Sequence, residues 1–170
     1  MKKENLMPTY QYCTPEWLAE SAKVYRSNPD AQKKLKKLSA DMPYRVKADP
    51  SFAIDRDIMF CAYFDEGRLN KLELISEETA QAEAEYIMAA TPQTWKKILK
   101  KESKFVTDFM LGRIKLEKGS KVGVLGVAPH ANNIVESLSP FELVFPDDLA
   151  GDEKEQYRTR METFRKELGV

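Results

Sequence analysis

The chain has 170 residues, of which 42 % are hydrophobic and 32 % charged, and 27 basic side chains balance 27 acidic ones. This composition is typical of a globular protein and excludes a chain without a packed core. Because a net charge of zero gives no overall attraction to polyanions, we expect no nucleic-acid partner.

The sequence contains no recognisable targeting segment. Met1–Leu6 is not followed by the apolar stretch of a signal peptide, and the longest apolar run, Val122–Pro129, is too short to span a bilayer. Cys13 and Cys61 lie far apart, which indicates reduced structural thiols rather than a disulfide framework. We therefore expect a cytoplasmic protein.

Residues 1–42 are predicted to form a helical N-terminal extension. Thr14 supplies an N-cap hydroxyl and Pro15 occupies the first helical position. A second helix is expected to begin at Pro29, and Pro43 marks the end of this helical pair.

The segment 43–146 is predicted to form the core. Asp57–Phe64 is apolar at odd and even positions, which is typical of a strand buried on both faces. Asp65–Arg68 predicts a hairpin turn in which Gly67 adopts a positive φ, and Leu69–Ile75 is the expected partner strand.

A third strand and two short helices are predicted next. The strand covers Glu83–Ala90, and a Thr-Pro pair beginning at Thr91 starts a helix that ends at Lys101. Ser103 is expected to cap a second helix that ends at Leu111.

The following strand lies between two glycines, Gly112 and Gly119. Residues 113–117 alternate between charged and apolar side chains, which predicts a strand with one face in water. Beyond it we expect a helical turn, a break near Pro129 and a helix that ends at Leu138.

The C-terminal part is predicted to end in a helix. Residues 140–146 are expected to form a loop or a short edge strand, and Asp152 is expected to cap a helix within residues 147–170. Apolar residues at helical spacing give this helix a buried side. We interpret the whole of residues 1–170 as a single domain.

From Asp57 to Leu138, the order of these elements resembles the sterol carrier protein family. The shared features are the hairpin, the third strand, the Thr-Pro helix start, the second helix, the strand between Gly112 and Gly119, and a covering helix. In this chain that strand segment is one residue longer than is usual in the family. The resemblance implies an α+β fold with a twisted, mainly antiparallel sheet of about five strands and helices on one face, to which this chain adds N- and C-terminal helices.

The resemblance also implies noncatalytic carriage of a fatty acid, acyl-CoA or sterol-like lipid in a tunnel between sheet and helices. Such a tunnel needs an apolar lining and a few polar groups at its mouth. Ligand exchange would require movement of a helix, for which we expect the segment Gly119–Pro129. The residues expected to line or cover the tunnel are Phe60, Ala62, Met88, Phe105, Phe109, Met110, Leu125 and Ile134.

Two alternatives remain at this stage. The same apolar residues suit a filled core, in which case the protein would be an interaction module whose Trp17 and Tyr25 form a partner or homodimer interface. The other is an enzyme that uses His130 or a tyrosine, although no Gly-x-Ser-x-Gly motif accompanies this only histidine. One histidine and two distant cysteines do not suit zinc, and we expect neither a metal nor a cofactor.

A basic helical face is the remaining feature of the sequence. Lys96, Lys97, Lys100 and Lys101 are expected to share one face of the helix that contains Trp95. A solvated helix surface explains this pattern. Transient contact with an anionic membrane, or with the phosphates of an acyl-CoA, is the alternative interpretation.

Overall fold

The computed structural model describes residues 8–170, so the predictions for Met1–Leu6 lie outside the described residues. The strands are β1 (Thr9–Gln11), β2 (Ala40–Val46), β3 (Ile58–Asp65), β4 (Arg68–Leu74), β5 (Ile87–Ala90), β6 (Lys115–Lys118) and β7 (Glu142–Val144). The α-helices are α1 (Pro15–Arg26), α2 (Pro29–Lys34), α3 (Glu77–Glu83), α4 (Pro92–Leu99), α5 (Phe105–Met110), α6 (Lys121–Val127), α7 (Ala131–Leu138) and α8 (Gly151–Leu168).

Five strands form the main sheet in the order β4-β3-β2-β5-β6. All neighbours in it are antiparallel except β2 and β5, which are parallel. A separate parallel pair joins β1 to β7, so the predicted loop or edge strand near residue 143 is a strand. The predicted α+β fold with a mainly antiparallel five-stranded sheet is confirmed.

The register of the strands places side chains of two kinds on the two faces of the sheet. Tyr44 lies beside Phe60 on one side and Met88 on the other, and these residues belong to the main apolar core together with α1 and α4. The opposite face carries a smaller apolar cluster built on Met59 and Cys61, against which α3 packs. The helix α3 was not predicted, since no element was assigned from the sequence to residues 76–82 and Glu83 was placed in the third strand.

Helix α1 begins at the residues that the sequence predicts. The Thr14 hydroxyl accepts a hydrogen bond from the Trp17 amide, and Pro15 begins α1. The side chains of Trp17 and Tyr25 are buried in the core that α1 shares with the sheet, rather than at the surface.

The predicted boundary between extension and core falls inside β2. Residues 40–46 form the central strand of the sheet, where a proline is uncommon because it cannot donate a ladder hydrogen bond. Pro43 pairs with Cys61 of β3, whereas the β5 ladder begins only at Tyr44. The proline therefore lies where β2 has one ladder instead of two.

Two predicted helix starts are corrected by one or two residues. The Ser103 hydroxyl does not cap α5, because it donates to Asp108 Oδ2 at 2.6 Å and Lys104 occupies the N-cap position. Ala150 is the N-cap of α8, and Asp152 lies inside its first turn, where a carboxylate favours the helix dipole.

The hairpin between β3 and β4 is the point at which the helical pair contacts the sheet. Gly67 has φ of +79°, and a Cβ there would lie 2.6 Å from the Gln32 carbonyl oxygen. The Tyr25 hydroxyl donates to the Gly67 carbonyl at 2.6 Å. Only glycine satisfies both the backbone conformation and the close approach.

We therefore predict that Gly67→Ala lowers the free energy of unfolding by about 2 kcal/mol or more, measured by chemical denaturation. Gly112→Ala is the matched control, because Gly112 has φ of +78° but no atom within 4 Å of its added Cβ. It should cost only the conformational strain, about 1 kcal/mol. Equal losses for the two variants would contradict the close approach at Gly67.

Candidate functional site

Two buried tryptophans frame an apolar space between the helices and the sheet. Trp17 Nε1 donates to the Leu138 carbonyl at 2.9 Å, and Trp95 Nε1 donates to the Arg45 carbonyl at 3.0 Å. Because both indole N–H groups are satisfied by backbone, the rings offer the interior only apolar surface. This arrangement explains why a space can persist here without attracting water.

The space consists of two cavities that lie side by side. The main cavity has a volume of about 40 Å³, and the second cavity about 10 Å³. Four residues line both of them and form the partition: Tyr44, Phe60, Ile134 and Leu138. The remaining residues of the main cavity are Tyr12, Trp17, Trp95, Ile98, Leu99, Phe105, Ala131 and Val135.

Tyr44 contributes an aromatic ring to the wall of this apolar space. Its ring stacks on Phe60 with centroids 5.2 Å apart and meets Trp95 edge-on at 5.8 Å. Among residues 8–170 its hydroxyl has no hydrogen-bond partner. Burial raises the pKa of Tyr44.

One side of the main cavity is closed by a helical segment, residues 120–139, which we call the cover. Ala131, Ile134 and Val135 of the cover are half-buried, whereas the other residues of the main cavity are buried. Within the part of the chain that the structure describes, a single hydrogen bond, from Trp17 to Leu138, joins the cover to the other residues. No ion pair between described residues involves the cover. Apolar contact is thus its main attachment.

A surface groove of about 220 Å³ leads towards the main cavity. The groove and the cavity share Ile98, Phe105 and Val135 as lining residues. Two cations, Lys101 and Lys104, and one carboxylate, Glu136, line this groove, and none of the three forms an ion pair with any residue of the described range 8–170. An apolar interior with a net positive charge at one opening suits a ligand with an apolar body and an anionic end.

The predicted tunnel residues either line a cavity, are buried in the core without lining a cavity, or lie at the surface. Phe60, Phe105 and Ile134 line the main cavity, and Phe60, Ile134 and Ala62 line the second cavity. Met88 and Phe109 are buried in the same core without lining either cavity, and Phe109 stacks on Phe105 at 6.3 Å.

Met110 and Leu125 line neither cavity. Met110 was expected to line the tunnel, whereas Leu125 was expected to cover it and belongs to the cover. Their side chains are 66 % and 41 % exposed. Sequence reasoning also missed the aromatic residues that α1, β2 and α4 contribute. For Trp17 and Trp95 a signal was present, since each lies on the apolar face of an amphipathic helix.

The basic face predicted for α4 is only partly present. Lys96 is buried and donates to Asp147 Oδ2 at 2.8 Å and to Asp148 Oδ2 at 3.1 Å. Burial lowers the pKa of Lys96, but these two carboxylates outweigh it and the pKa is raised. Lys96 is therefore a structural cation, whereas Lys97, Lys100 and Lys101 remain at the surface.

A larger pocket of about 420 Å³ lies on the opposite face of the sheet, beside α8. Its central cation, Arg45, bonds to Glu77 at 2.7 Å, Glu117 at 2.9 Å and Asp57 at 3.3 Å. The hydrogen bond from Arg45 lowers the pKa of Glu77. The other two cations of the pocket also have partners, since Arg56 bonds to Glu162 and Arg165 donates to the backbone carbonyls of Arg56 and Asp57. Because its charged groups already have partners, the pocket offers a ligand less than the apolar cavities do.

The metal site and the histidine site that were considered from the sequence are not assembled among residues 8–170. No group of three or more metal-ligating side chains occurs in this range. His130 occupies the N-cap position of α7 without a capping hydrogen bond from its side chain. No helix in the described range is both long and apolar enough to cross a membrane.

Comparison with known proteins shows which fold this is. No family model and no curated protein sequence matches the chain. A crystal structure of sterol carrier protein 2 is similar with a TM-score of 0.68 and 18 % identity, covering 76 % of this chain and 98 % of that one. A solution structure of a conserved hypothetical protein from Thermus thermophilus gives 0.69 and 17 %, covering 81 % and 98 %.

A third similar structure, the apo form of sterol carrier protein 2 from Yarrowia lipolytica, gives a TM-score of 0.52 at 11 % identity and covers 74 % of this chain and 88 % of that one. At such identities the likeness concerns the fold alone. The chain therefore has the fold of sterol carrier protein 2, as the order of its sequence elements indicated.

The buried tyrosines Tyr44 and Tyr25 test the hydrogen bonds of the core. We predict that Tyr44→Phe changes the free energy of unfolding by less than about 0.5 kcal/mol, because it removes no hydrogen bond to any of residues 8–170. Tyr25→Phe, the matched control, leaves the buried Gly67 carbonyl without its 2.6 Å donor and should cost about 1–3 kcal/mol. A loss at Tyr44 as large as that at Tyr25 would show that its hydroxyl has a partner.

The weak attachment of the cover predicts fast local opening. Amide hydrogen exchange followed by mass spectrometry should be at least about 100-fold faster for residues 121–138 than for Trp17–Ala22 of α1, because few polar contacts resist opening. Equal protection of the two segments would show that the cover opens only with the whole molecule.

Proposed function

From the fold of sterol carrier protein 2 and the apolar cavities under a weakly attached cover, we propose that this protein is a noncatalytic binder or carrier of a fatty-acid-like lipid. The single observation that carries the proposal is the pair of cavities, lined mainly by apolar and aromatic side chains, between the sheet and the cover. A core that served stability alone would gain by filling them. We further propose that residues 8–170 act as one domain around this site.

Binding requires the cavities to grow and merge. Pockets for ligands of this size measure about 300–1,000 Å³, whereas the main cavity measures about 40 Å³. Outward movement of α7 would withdraw Ile134 and Leu138, the two partition residues that belong to the cover. The path opened in this way runs along β3 past Phe60 and Ala62.

The energy of the apolar chain suffices for useful affinity. Burial of a chain of about 16 carbons contributes on the order of 10 kcal/mol at about 0.8 kcal/mol per methylene. Loss of ligand freedom and the work of moving the cover reduce this gain, which leaves a dissociation constant in about the micromolar range.

The polar end of the ligand is assigned to the groove beside α7. Lys101 and Lys104 on its rim are exposed cations, and they would meet a carboxylate as the chain passes Phe105 and Val135.

Palmitic acid binding to the delipidated protein, measured by titration calorimetry, tests the proposal. Ile134→Asp places a carboxylate in the wall of both cavities and should weaken binding at least about tenfold. Leu125→Asp makes a comparable change on the outside of the same cover and should leave the affinity unchanged. Near-ultraviolet circular dichroism establishes that each variant is folded.

Unchanged affinity in a folded Ile134→Asp variant would remove the cavities as the site. No binding of palmitic acid by the unmodified protein would refute a fatty-acid carrier and favour the alternative of an interaction module with a filled core.

A further inference from the structure

The large exposed apolar side chains of residues 8–170 lie mostly on two helices, α5 and α6, that are close in sequence. Within residues 8–170 six large apolar side chains are exposed, and five of them belong to α5, its C-cap and α6. These five residues, which we call the apolar surface, are Val106 (39 % exposed), Met110 (66 %), Leu111 (63 %), Val122 (82 %) and Leu125 (41 %). Helix α5 also contacts the 3-10 turn Ala128–His130 that continues α6. Val106 and Met110 lie one turn apart on α5, and Val122 and Leu125 lie one turn apart on α6, so each helix exposes an apolar stripe. Exposed apolar stripes of this kind indicate an interaction surface rather than scattered surface residues.

The same part of the chain is strongly basic. Residues 97–121 contain eight basic and three acidic side chains, although the whole chain is neutral. Two of those three carboxylates already form ion pairs, since Asp108 bonds to Arg113 and Glu117 bonds to Arg45. Among residues 8–170, no ion pair involves the seven lysines of this segment. They are Lys97, Lys100, Lys101, Lys104, Lys115, Lys118 and Lys121.

We propose that the apolar surface docks on an anionic lipid bilayer. The apolar side chains would enter the interfacial layer, and lysines such as Lys104 and Lys121, which precede α5 and begin α6, would meet the headgroups. Charge decides between this occupant and a second copy of the chain. Two copies joined through this surface would bring their unpaired lysines together, whereas an anionic membrane complements both the charge and the apolar side chains.

Docking through the apolar surface would involve a helix that forms part of the wall of the main cavity. Helix α5 turns Val106 and Met110 outward, while Phe105 lines the main cavity and Phe109 stacks against it. A membrane that contacts the outer side of α5 would therefore contact a helix whose inner side lines the main cavity. This consequence rests on the proposed function, but the docking itself does not require a bound lipid.

Vesicle flotation of the delipidated protein tests the docking independently of cargo. We expect the protein to float with phosphatidylcholine vesicles that contain about 30 mol % phosphatidylserine, and not with pure phosphatidylcholine vesicles. Binding should fall steeply in about 0.5 M NaCl, because salt screens the lysines.

The double variant Met110→Ser, Leu111→Ser should reduce binding to the anionic vesicles at least about tenfold. Leu168→Ser is the control, because Leu168 is the sixth exposed apolar residue, 52 % exposed, and lies on α8. Leu168→Ser should bind as the unmodified protein does.

The charge requirement is tested by a second pair of variants. Lys104→Glu with Lys121→Glu should reduce binding at least about tenfold, since each lysine near such a surface is worth about fivefold. Lys33→Glu with Lys34→Glu makes the same change on the exposed end of α2 and should have little effect.

Binding that does not depend on phosphatidylserine, or equal losses in the test and control variants, would overturn the proposal. Light scattering that shows a dimer which the Met110→Ser, Leu111→Ser variant dissociates would overturn it in favour of self-association. If the unmodified protein floats with the anionic vesicles but does not bind palmitic acid, only the proposed function is refuted.

Discussion

The structure depends on how the two tryptophans of the core satisfy their indole N–H groups. Trp17 and Trp95 both donate to backbone carbonyls, of Leu138 and Arg45, at 2.9 and 3.0 Å. Their rings can then be buried without a polar group in the space between them. The bond from Trp17 is also the one hydrogen bond, within the described part of the chain, that joins the cover to the remaining residues. The same contacts thus keep the cavity apolar and leave its wall weakly attached.

Elements set by local rules were predictable from the sequence. Gly67 between two apolar runs predicted the hairpin, and the Thr-Pro pair at Thr91 predicted the start of α4, whose N-cap hydroxyl accepts from the Thr94 amide. The central strand β2 was missed because Pro43 argues locally against a strand. Its position is set by two sheet neighbours that are distant in sequence, which no local pattern reveals.

The candidate site was predictable only in part, because side-chain direction within a short helix decides the lining. In α5, Phe105 and Phe109 are one turn apart and stack inward, with their rings 3° from parallel. Met110 follows Phe109 by one residue, a rotation of about 100°, and therefore points to solvent. A list of apolar residues cannot separate these directions. The partition formed by Tyr44 and Ile134 requires the tertiary arrangement of β2 and α7.

The cavities and the apolar surface are two apolar regions in opposite environments. The cavities need the cover to exclude water, whereas the five exposed side chains of α5, its C-cap and α6 remain in water. Both regions meet at α5 and at the cover. A lipid carrier must pass its ligand between an aqueous and an apolar environment, and the joint placement of a cavity wall and an exposed apolar face supports that role.

The central claim is that a lipid chain occupies the space between the sheet and α7. The most direct measurement is the nuclear Overhauser effect between palmitic acid and a methyl-labelled sample of the protein. The account predicts contacts from the chain methylenes to the methyl groups of Ile98, Ile134 and Leu138, which line the main cavity. Contacts confined to Met110, Leu111 and Leu125, or no contacts at saturating ligand, would contradict it.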